Sequence, residues 1–399
     1  MKKKILIIAA GLPRPVKGGT ALRFENLFKI LSEKYDLYFA VRLKDDNEVK
    51  NISLNKDIFK KVLYIKSKRP NLTKKISISI NALLHGVPPQ SYSMYFKELS
   101  KEILAFVNEN HIDAIHYDHI EYGYYYKDLR DIKCEHVLVV DDIVSDRYHE
   151  EANLSKNNLE KAINYFSYFM YKNFEKKIIK YFNNIITVSC NNSEKISKIN
   201  NCNIGIVANG ADLQDGKIIK NNDHKMLNIM FLGSLDYKPN NDAVLFLLKK
   251  VIPLMNKINI DYKLYIVGNR ASNEIKEYQS ENIIITGFVE DLNKYYSMCD
   301  IMLAPIFSGG GTRTKILESM AKNTIVISTD KGCEGIEVTN NKNILLANTE
   351  DEFVNQILFC MNNKDKKKDI EDSAYQLVMK KYDWKAIGEE LIGYYDKLL

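Results

Sequence analysis

Six consecutive apolar residues, 5–10, then a Gly/Pro-containing loop, 11–19, then apolar positions at helical spacing over 22–31, restrict this chain more than any other feature. A strand with one wet face alternates apolar and polar side chains; a run with no polar face belongs to a parallel sheet covered by helices on both sides. A second such run, 37–42, comes at once, so the chain opens as a βαβ unit. Further strands are predicted at 62–65, 114–117, 136–140, 184–189 and 204–208, with the clearest helices at 96–109 and 159–181. After a polar segment reaching residue 225 the alternation restarts. Strands are predicted at 228–232, 263–267, 283–286, 301–304, 325–328 and 344–346, and helices at 242–255, 292–298, 314–321 and 350–362. Each restart has its own strand–loop–helix opening, so two doubly wound, Rossmann-like α/β domains facing across a ligand cleft fit better than one large sheet. The division falls at 1–208 and 209–382, and the amphipathic tail 383–399 is expected to pack back on the first domain.

Composition narrows the function. A hydrophobic content of 45% and a charged content of 27% exclude a disordered chain. Basic residues exceed acidic ones by only six, 57 against 51, too mild a surplus for a nucleic-acid binder; an anionic small ligand or an anionic membrane surface fits better. Six cysteines without CxxC or zinc-like spacing read as reduced core thiols of a cytoplasmic protein. Residues 1–12 read as a buried first strand rather than a secretory signal. No run of about 18 apolar residues occurs, so membrane contact is expected to be peripheral, if any. The basic cluster Lys66, Lys68, Arg69, Lys74 and Lys75 precedes an apolar segment, 76–84, where Ile76, Ile78 and Ile80 alternate with Ser. It reads either as a solvated loop before a helix or as a site that docks on an anionic leaflet.

The richest motif is Gly309-Gly310-Gly311-Thr312-Arg313-Thr314-Lys315, directly after the strand 301–304. Glycines let backbone amides approach a phosphate, a helix N-terminus adds partial positive charge, and Arg313 and Lys315 add full charges. Glu318, one turn into the helix, is placed to accept hydrogen bonds from a ribose diol. A second glycine pair, Gly18-Gly19, opens the first helix and offers another amide nest or a tight turn; Arg23 one turn on reaches an anion or solvent. Catalytic candidates come from strand ends: His119, and the adjacent carboxylates Asp141 and Asp142, which point to opposite sides so that one enters the cleft and the other caps the next segment of chain. A structural cap is an equal reading there, and His149 is read as a surface residue. The absence of GxGxxG after the first strand argues against a dehydrogenase.

In order and spacing these motifs resemble GT-B glycosyltransferases of the family 4 type, bacterial sugar transferases of polysaccharide biosynthesis. The resemblance spans nearly the whole chain. It rests on Gly18-Gly19 with Arg23, Val188-Ser189, Asn209-Gly210-Ala211-Asp212, the stretch from Phe231 and Gly233 to Lys238-Pro239-Asn240, Thr286-Gly287-Phe288, and the glycine-rich loop through Ala321. It implies a nucleotide diphosphate sugar as donor substrate in the carboxyl-terminal domain and a saccharide or lipid-linked acceptor in the amino-terminal one. It further implies retention of anomeric configuration, no metal or other cofactor, and a cytoplasmic place at the inner face of the cell membrane. Two positions depart from the pattern: Gly310 stands where a first glutamate is common, before the second at Glu318, and Ser234 stands where an arginine is common. Arg313, Lys315 and Lys238 are then expected to neutralise the diphosphate instead. A nucleotide-sugar epimerase of the same architecture and a non-catalytic nucleotide-sugar-binding subunit are the alternatives.

Overall fold

The computed structural model describes the chain except residues 1, 17–18, 68–70, 156, 212, 214–215, 219–225 and 310–313. It divides into two compact units, Met1–Asn209 with Trp384–Leu399, and Gly210–Asp383.

In the first unit the described residues form seven strands: β1 (Lys4–Ala9), β2 (Asp36–Leu43), β3 (Phe59–Lys66), β4 (Ala114–Tyr117), β5 (Glu135–Val140), β6 (Asn184–Thr187) and β7 (Asn203–Ile206). All neighbours are parallel, in the order β3-β2-β1-β4-β5-β6-β7. The apolar run of β1 has two buried faces, as a doubly covered strand requires. Leu6 and Ile8 face one core with Phe174 and Ile178 of the helix Asn158–Ile179. Ile5, Ile7 and Ala9 face the other, with Phe24 and Phe28 of the helix Gly19–Lys34. That second core is completed by Trp384, Leu391 and Tyr395 of the last helix, Trp384–Leu398.

The second unit repeats the plan with β8 (Leu227–Leu232), β9 (Tyr262–Val267), β10 (Ile283–Gly287), β11 (Ile301–Ala304), β12 (Ile325–Ser328) and β13 (Leu345–Leu346), in the order β10-β9-β8-β11-β12-β13. The helix expected at 242–255 begins at Lys238 and runs as Lys238–Phe246, a π-helical turn at Leu247–Val251, and Ile252–Lys257. Pro253 lacks the N–H that would bond one turn back, and the widened turn sits where that bond is missing.

Several helices escape the sequence reading: Pro89–Met94, Val144–Leu154, Cys190–Ser197 and Lys364–Lys381. The last is largely polar, and its buried Ile370, Ala374 and Val378 recur every four residues. Residues Leu72–Leu84 are helical despite the Ile/Ser alternation. The expectation of six core thiols needs correction. All six cysteines are free, but only Cys299, Cys333 and Cys360 are buried, while Cys134 and Cys202 are half-buried and Cys190 is exposed. Cys190 opens a helix whose buried contact is made by Ile196. Among the described residues no helix is long and apolar enough to cross a membrane.

The last helix crosses the first one closely at Gly388, where an added Cβ would lie 2.6 Å from Ile30 Cδ1. Gly388→Val is therefore expected to destabilise the chain by about 1–3 kcal/mol through overpacking. Gly393→Ala, whose Cβ meets nothing within 4 Å, should leave the melting temperature unchanged or raised. Thermal unfolding of the two variants checks this.

Candidate active site

In each sheet the strand order reverses between two central strands, β1 and β4 in the first unit, β8 and β11 in the second. The connections at their carboxyl ends diverge to opposite faces there, which opens a crevice where ligands bind in such sheets. The predicted site residues that the structure describes gather at these two places.

In the first unit, β4 runs directly into Asp118 and His119. His119 has φ 76° and ψ 149°, a region that side-chain-bearing residues rarely occupy and that costs of order 1–3 kcal/mol. The ring is held at both nitrogens, with Nδ1 2.7 Å from Asp118 Oδ2 and Nε2 3.1 Å from Asp141 Oδ2. Phe24 lies edge-on to it, with ring centroids 6.2 Å apart. Burial disfavours a charged imidazole, but the carboxylates of Asp141 and Asp118 outweigh it and raise the His119 pKa well above its ordinary value. Burial likewise pushes Asp118 upward, yet His119 and His116 outweigh it and hold the carboxyl below the usual range. A carboxylate at each ring nitrogen favours the doubly protonated ring. In that form the side chain, 26% exposed, presents positive charge, with both N–H groups taken by carboxylates and no lone pair with which to act as a base.

A second layer supports this pair. His116, buried in β4, sits with Nε2 3.4 Å from Asp118 Oδ1 and Nδ1 2.6 Å from the Tyr395 hydroxyl. An ionised carboxylate only accepts, so Nε2–H of His116 donates to it; in a singly protonated ring Nδ1 then accepts from Tyr395. The last helix thus orients a residue of the candidate site. Sequence reasoning missed His116, Asp118 and Tyr395. The i, i+2 spacing of His116 and Asp118 along a strand was the available signal for the first two; Tyr395 left none.

The expected role of Arg23 does not hold. Its guanidinium is buried and donates to Val207 O (2.9 Å), Ala208 O (2.7 Å) and Asn209 Oδ1 (2.9 Å). It binds the first helix to the chain leaving β7, and its charge faces Asp118 and Asp141. Gly19 begins the helix Gly19–Lys34; Gly18 lies outside the described residues. Asp142 is half-buried and adds to the field around Glu175, and His149 is exposed as expected. Glu175 accepts from Ser145 N–H at 3.0 Å and Ser145 Oγ at 2.5 Å. Burial, reinforced by Asp146 and Asp142, pushes its carboxyl up to about 8 against the opposing pull of Ser145. Beside the first crevice, a cavity of about 330 Å³ is lined by Gly11, Thr20, Arg42 and Lys44. Arg14 on its wall is held at 2.6 Å by both Glu25 and Asp57.

In the second unit Lys315 is the fixed cation. Its Nζ donates to Asn240 Oδ1 at 2.6 Å and stands 4.8 Å from the Phe231 ring centroid. Asn240 Nδ2 donates to Ser234 O at 2.8 Å. Glycine is required at Gly233, where a Cβ would lie 2.7 Å from both Lys315 Nζ and Asn240 Nδ2, and at Gly268, where it would lie 1.9 Å from Gly233 O. Gly309, with φ 91°, turns the chain away from β11. Gly310, Gly311, Thr312 and Arg313 lie outside the described residues. Glu318 is half-buried on the helix Thr314–Ala321; its charge adds to the burial that raises the Tyr296 hydroxyl. Lys238 is exposed and pairs with Asp242 at 3.1 Å.

Ser234, where an arginine is common in the resembled family, has Oγ within 2.6 Å of Asp236 Oδ1 and Asn269 Oδ1. An arginine does reach this place from the neighbouring strand end: Arg270 pairs with Asp236. Arg270 also borders a cavity of about 420 Å³ at the ends of β9 and β10, with Gly268, Lys276, Gln279 and Thr286. Nothing in the linear order links positions 234 and 270, so the sequence reading missed it. Among the described residues no group of three or more His, Cys, Asp or Glu is arranged to hold a metal ion.

Comparison with known proteins agrees with this architecture. Residues 227–363 match the family described as Glycosyl transferases group 1. A Klebsiella pneumoniae protein, described as a 44.6 kDa protein in cps region, is 26% identical, with 96% of this chain and 97% of that protein covered. Among solved structures, sucrose-phosphate synthase from Thermosynechococcus elongatus superposes with a TM-score of 0.71 at 14% identity, over 100% of this chain and 99% of the other. Anabaena HepE in complex with UDP-glucose does so with 0.68 at 15% identity, over 99% and 100%. The fold, two Rossmann-like units, is that of the GT-B enzymes. The chain is a glycosyltransferase, and its second unit carries the group 1 glycosyl transferase domain.

A group whose pKa is raised on folding stabilises the fold below its unfolded value and loses that contribution as pH climbs through the folded one. Glu175 moves from 4.5 to about 8, so stability should decline across that interval, with His119 adding to the fall above 6.5. Glu175→Gln should flatten the decline, as read by urea unfolding at a series of pH values; an unchanged slope would contradict the assignment.

Proposed function

We propose that the chain transfers a sugar from a nucleotide diphosphate sugar to a saccharide or lipid-linked acceptor in bacterial cell-surface polysaccharide synthesis, with retention at the anomeric carbon, on the cytoplasmic side of the membrane. One observation carries the reading: the group 1 glycosyl transferase match coincides with the unit whose switch point holds the anchored Lys315 beside a glycine-led helix start. As the anomeric C–O bond breaks, negative charge gathers on the departing diphosphate. Lys315, held by Asn240 before any ligand arrives, meets that charge without having to reorganise. The partial positive charge at the start of the helix Thr314–Ala321 adds to it. Arg313 and Lys238 supply further charge, Glu318 binds the ribose diol, and the cavity beside Arg270 receives the nucleoside. With cations meeting the diphosphate, the reaction is proposed to run without a metal.

The first unit takes the acceptor. There the imidazolium of His119, its two N–H groups held by Asp118 and Asp141, supplies positive charge beside the acceptor, while Asp141 keeps it charged and accepts from the acceptor's hydroxyl. Asp142 completes the acidic rim. Two similarities support the substrate classes: HepE is a structural neighbour solved with UDP, UDP-glucose and glucose, and the Klebsiella relative is described as in cps region.

Thermal-shift measurements against nucleoside diphosphates and their sugars test the reading, because a ligand at a hundred times its Kd stabilises by about 2.7 kcal/mol. Lys315→Ala should abolish the donor-dependent shift with little change in the ligand-free melting temperature, and His119→Gln should bind donor but lose transfer. A shift equal in Lys315→Ala and parent would remove Lys315 from the site. Nucleotide release without any acceptor requirement would point to the epimerase, and binding without transfer to any acceptor to a non-catalytic subunit.

A further inference from the structure

The first unit exposes two apolar helix faces that the transfer reaction does not use. In the helix Asn158–Ile179, Asn164, Tyr171, Phe174 and Ile178 turn inward. On the outer side Leu159, Ile163, Phe166 and Phe169 are exposed, Leu159 at 70%. At 100° per residue these four fall on one arc of about 140° with Lys176, Lys177 and the C-capping Lys180. No Asp or Glu lies on that arc. The face is thus apolar at the helix start and lysine-rich at its end. Leu154, which closes the preceding helix Val144–Leu154, is also exposed and extends the apolar start; the two helices are tied there by Tyr165 O–H donating to Asn153 Oδ1 at 2.8 Å.

The helix Leu72–Leu84 repeats the pattern. Leu72, Ile76, Ile80, Leu83 and Leu84 form its exposed stripe, with Leu72 at 74% and Leu84 at 78%. Around it, residues 58–97 contain eight Lys or Arg and no Asp or Glu. Both helices flank the short helix Pro89–Met94, which packs on the Leu72–Leu84 helix and accepts, at Gln90 Oε1, a 3.4 Å hydrogen bond from Tyr171 of the longer one.

Exposed rows of large apolar side chains of this extent mark an interaction surface. Their companions decide the partner. Amphipathic helices whose apolar faces are edged by lysine and free of carboxylates suit a bilayer interface, where apolar groups enter the acyl boundary and lysines meet anionic headgroups. We infer that these two faces, Leu72–Leu84 and the outer side of Asn158–Ile179, dock the first unit on an anionic lipid bilayer. The surface extends the transfer reading by placing the chain where a lipid-linked acceptor is found, and depends on that reading only for the acceptor.

The test is co-sedimentation of the full chain, without nucleotide, with vesicles of phosphatidylcholine alone or mixed with phosphatidylglycerol. Binding to the mixed vesicles is expected, about tenfold or more weaker on phosphatidylcholine alone, and weakened by added salt. Phe166→Glu with Phe169→Glu, and separately Ile76→Glu with Ile80→Glu, should each lower binding by about tenfold or more. All four side chains are exposed, so the melting temperature should hold. Equal binding to both vesicle types, or variants that sediment like the parent, would overturn the inference. A concentration-dependent dimer in analytical ultracentrifugation, lost in either variant, would overturn it too by assigning the faces to a second copy. Vesicle binding needs no donor, so its failure leaves sugar transfer to a soluble acceptor untouched, and failure of transfer leaves vesicle binding intact.

Discussion

The reversal of strand order beside β1 and beside β8 is the constraint on which the rest of the molecule depends. A parallel sheet must return its chain through helices, and successive right-handed crossovers fill one face until the order reverses and the other face is covered. At the reversal the two carboxyl-end loops part, and the sheet cannot close over the gap. Each unit therefore opens one crevice at its middle, β1 against β4 and β8 against β11. The anchored polar groups stand at these openings: the ion pair of His119 and Asp141 in one, Lys315 with the amide of Asn240 in the other.

The chemistry open to each crevice is set by how its charges are held. A free histidine titrates near neutrality and a free lysine moves. Here His119 lies between two carboxylates and Lys315 is fixed by an amide oxygen and an aromatic face. Such groups need little reorganisation when charge develops on a substrate, which is the physical basis of electrostatic catalysis. The supports are equally specific. Tyr395 reaches His116 from the last helix, and Arg23 ties the first helix to the carbonyls just beyond β7. The final sixteen residues, Trp384–Leu399, are thus part of the first unit and bring a side chain to the residues that orient its crevice.

The fold was largely legible because it depends on short-range patterns. Doubly buried strands need uninterrupted apolar runs, as in β1, β8 and β11, and the partly exposed β3 and β7 at the sheet edges show weaker apolar runs. Short or polar helices were less legible: Lys364–Lys381 buries only one narrow stripe, and Pro89–Met94 owes its helix to context. In the candidate sites, His119 and Asp141 could be named from the sequence because both come directly after strands. Their contact, and the raised His119 pKa that follows from it, required β4 and β5 to be neighbours. Arg23 shows the converse. A positive charge one turn into a helix behind two glycines has the sequence signature of an anion site, yet burial gives that guanidinium backbone carbonyls as partners.

By itself the sequence determined the class of architecture, its two-fold repetition and the set of residue types able to bind a nucleotide diphosphate sugar, because hydrophobic periodicity and glycine-rich turns are local properties of the chain. Only the tertiary structure decided which of those residues meet, which are neutralised and which are buried as struts. Arg270 reaching Asp236, Tyr395 reaching His116 and the exposure of two apolar helix faces are set by how segments distant along the chain pack, and the energetics of charge and burial depend on distance in space.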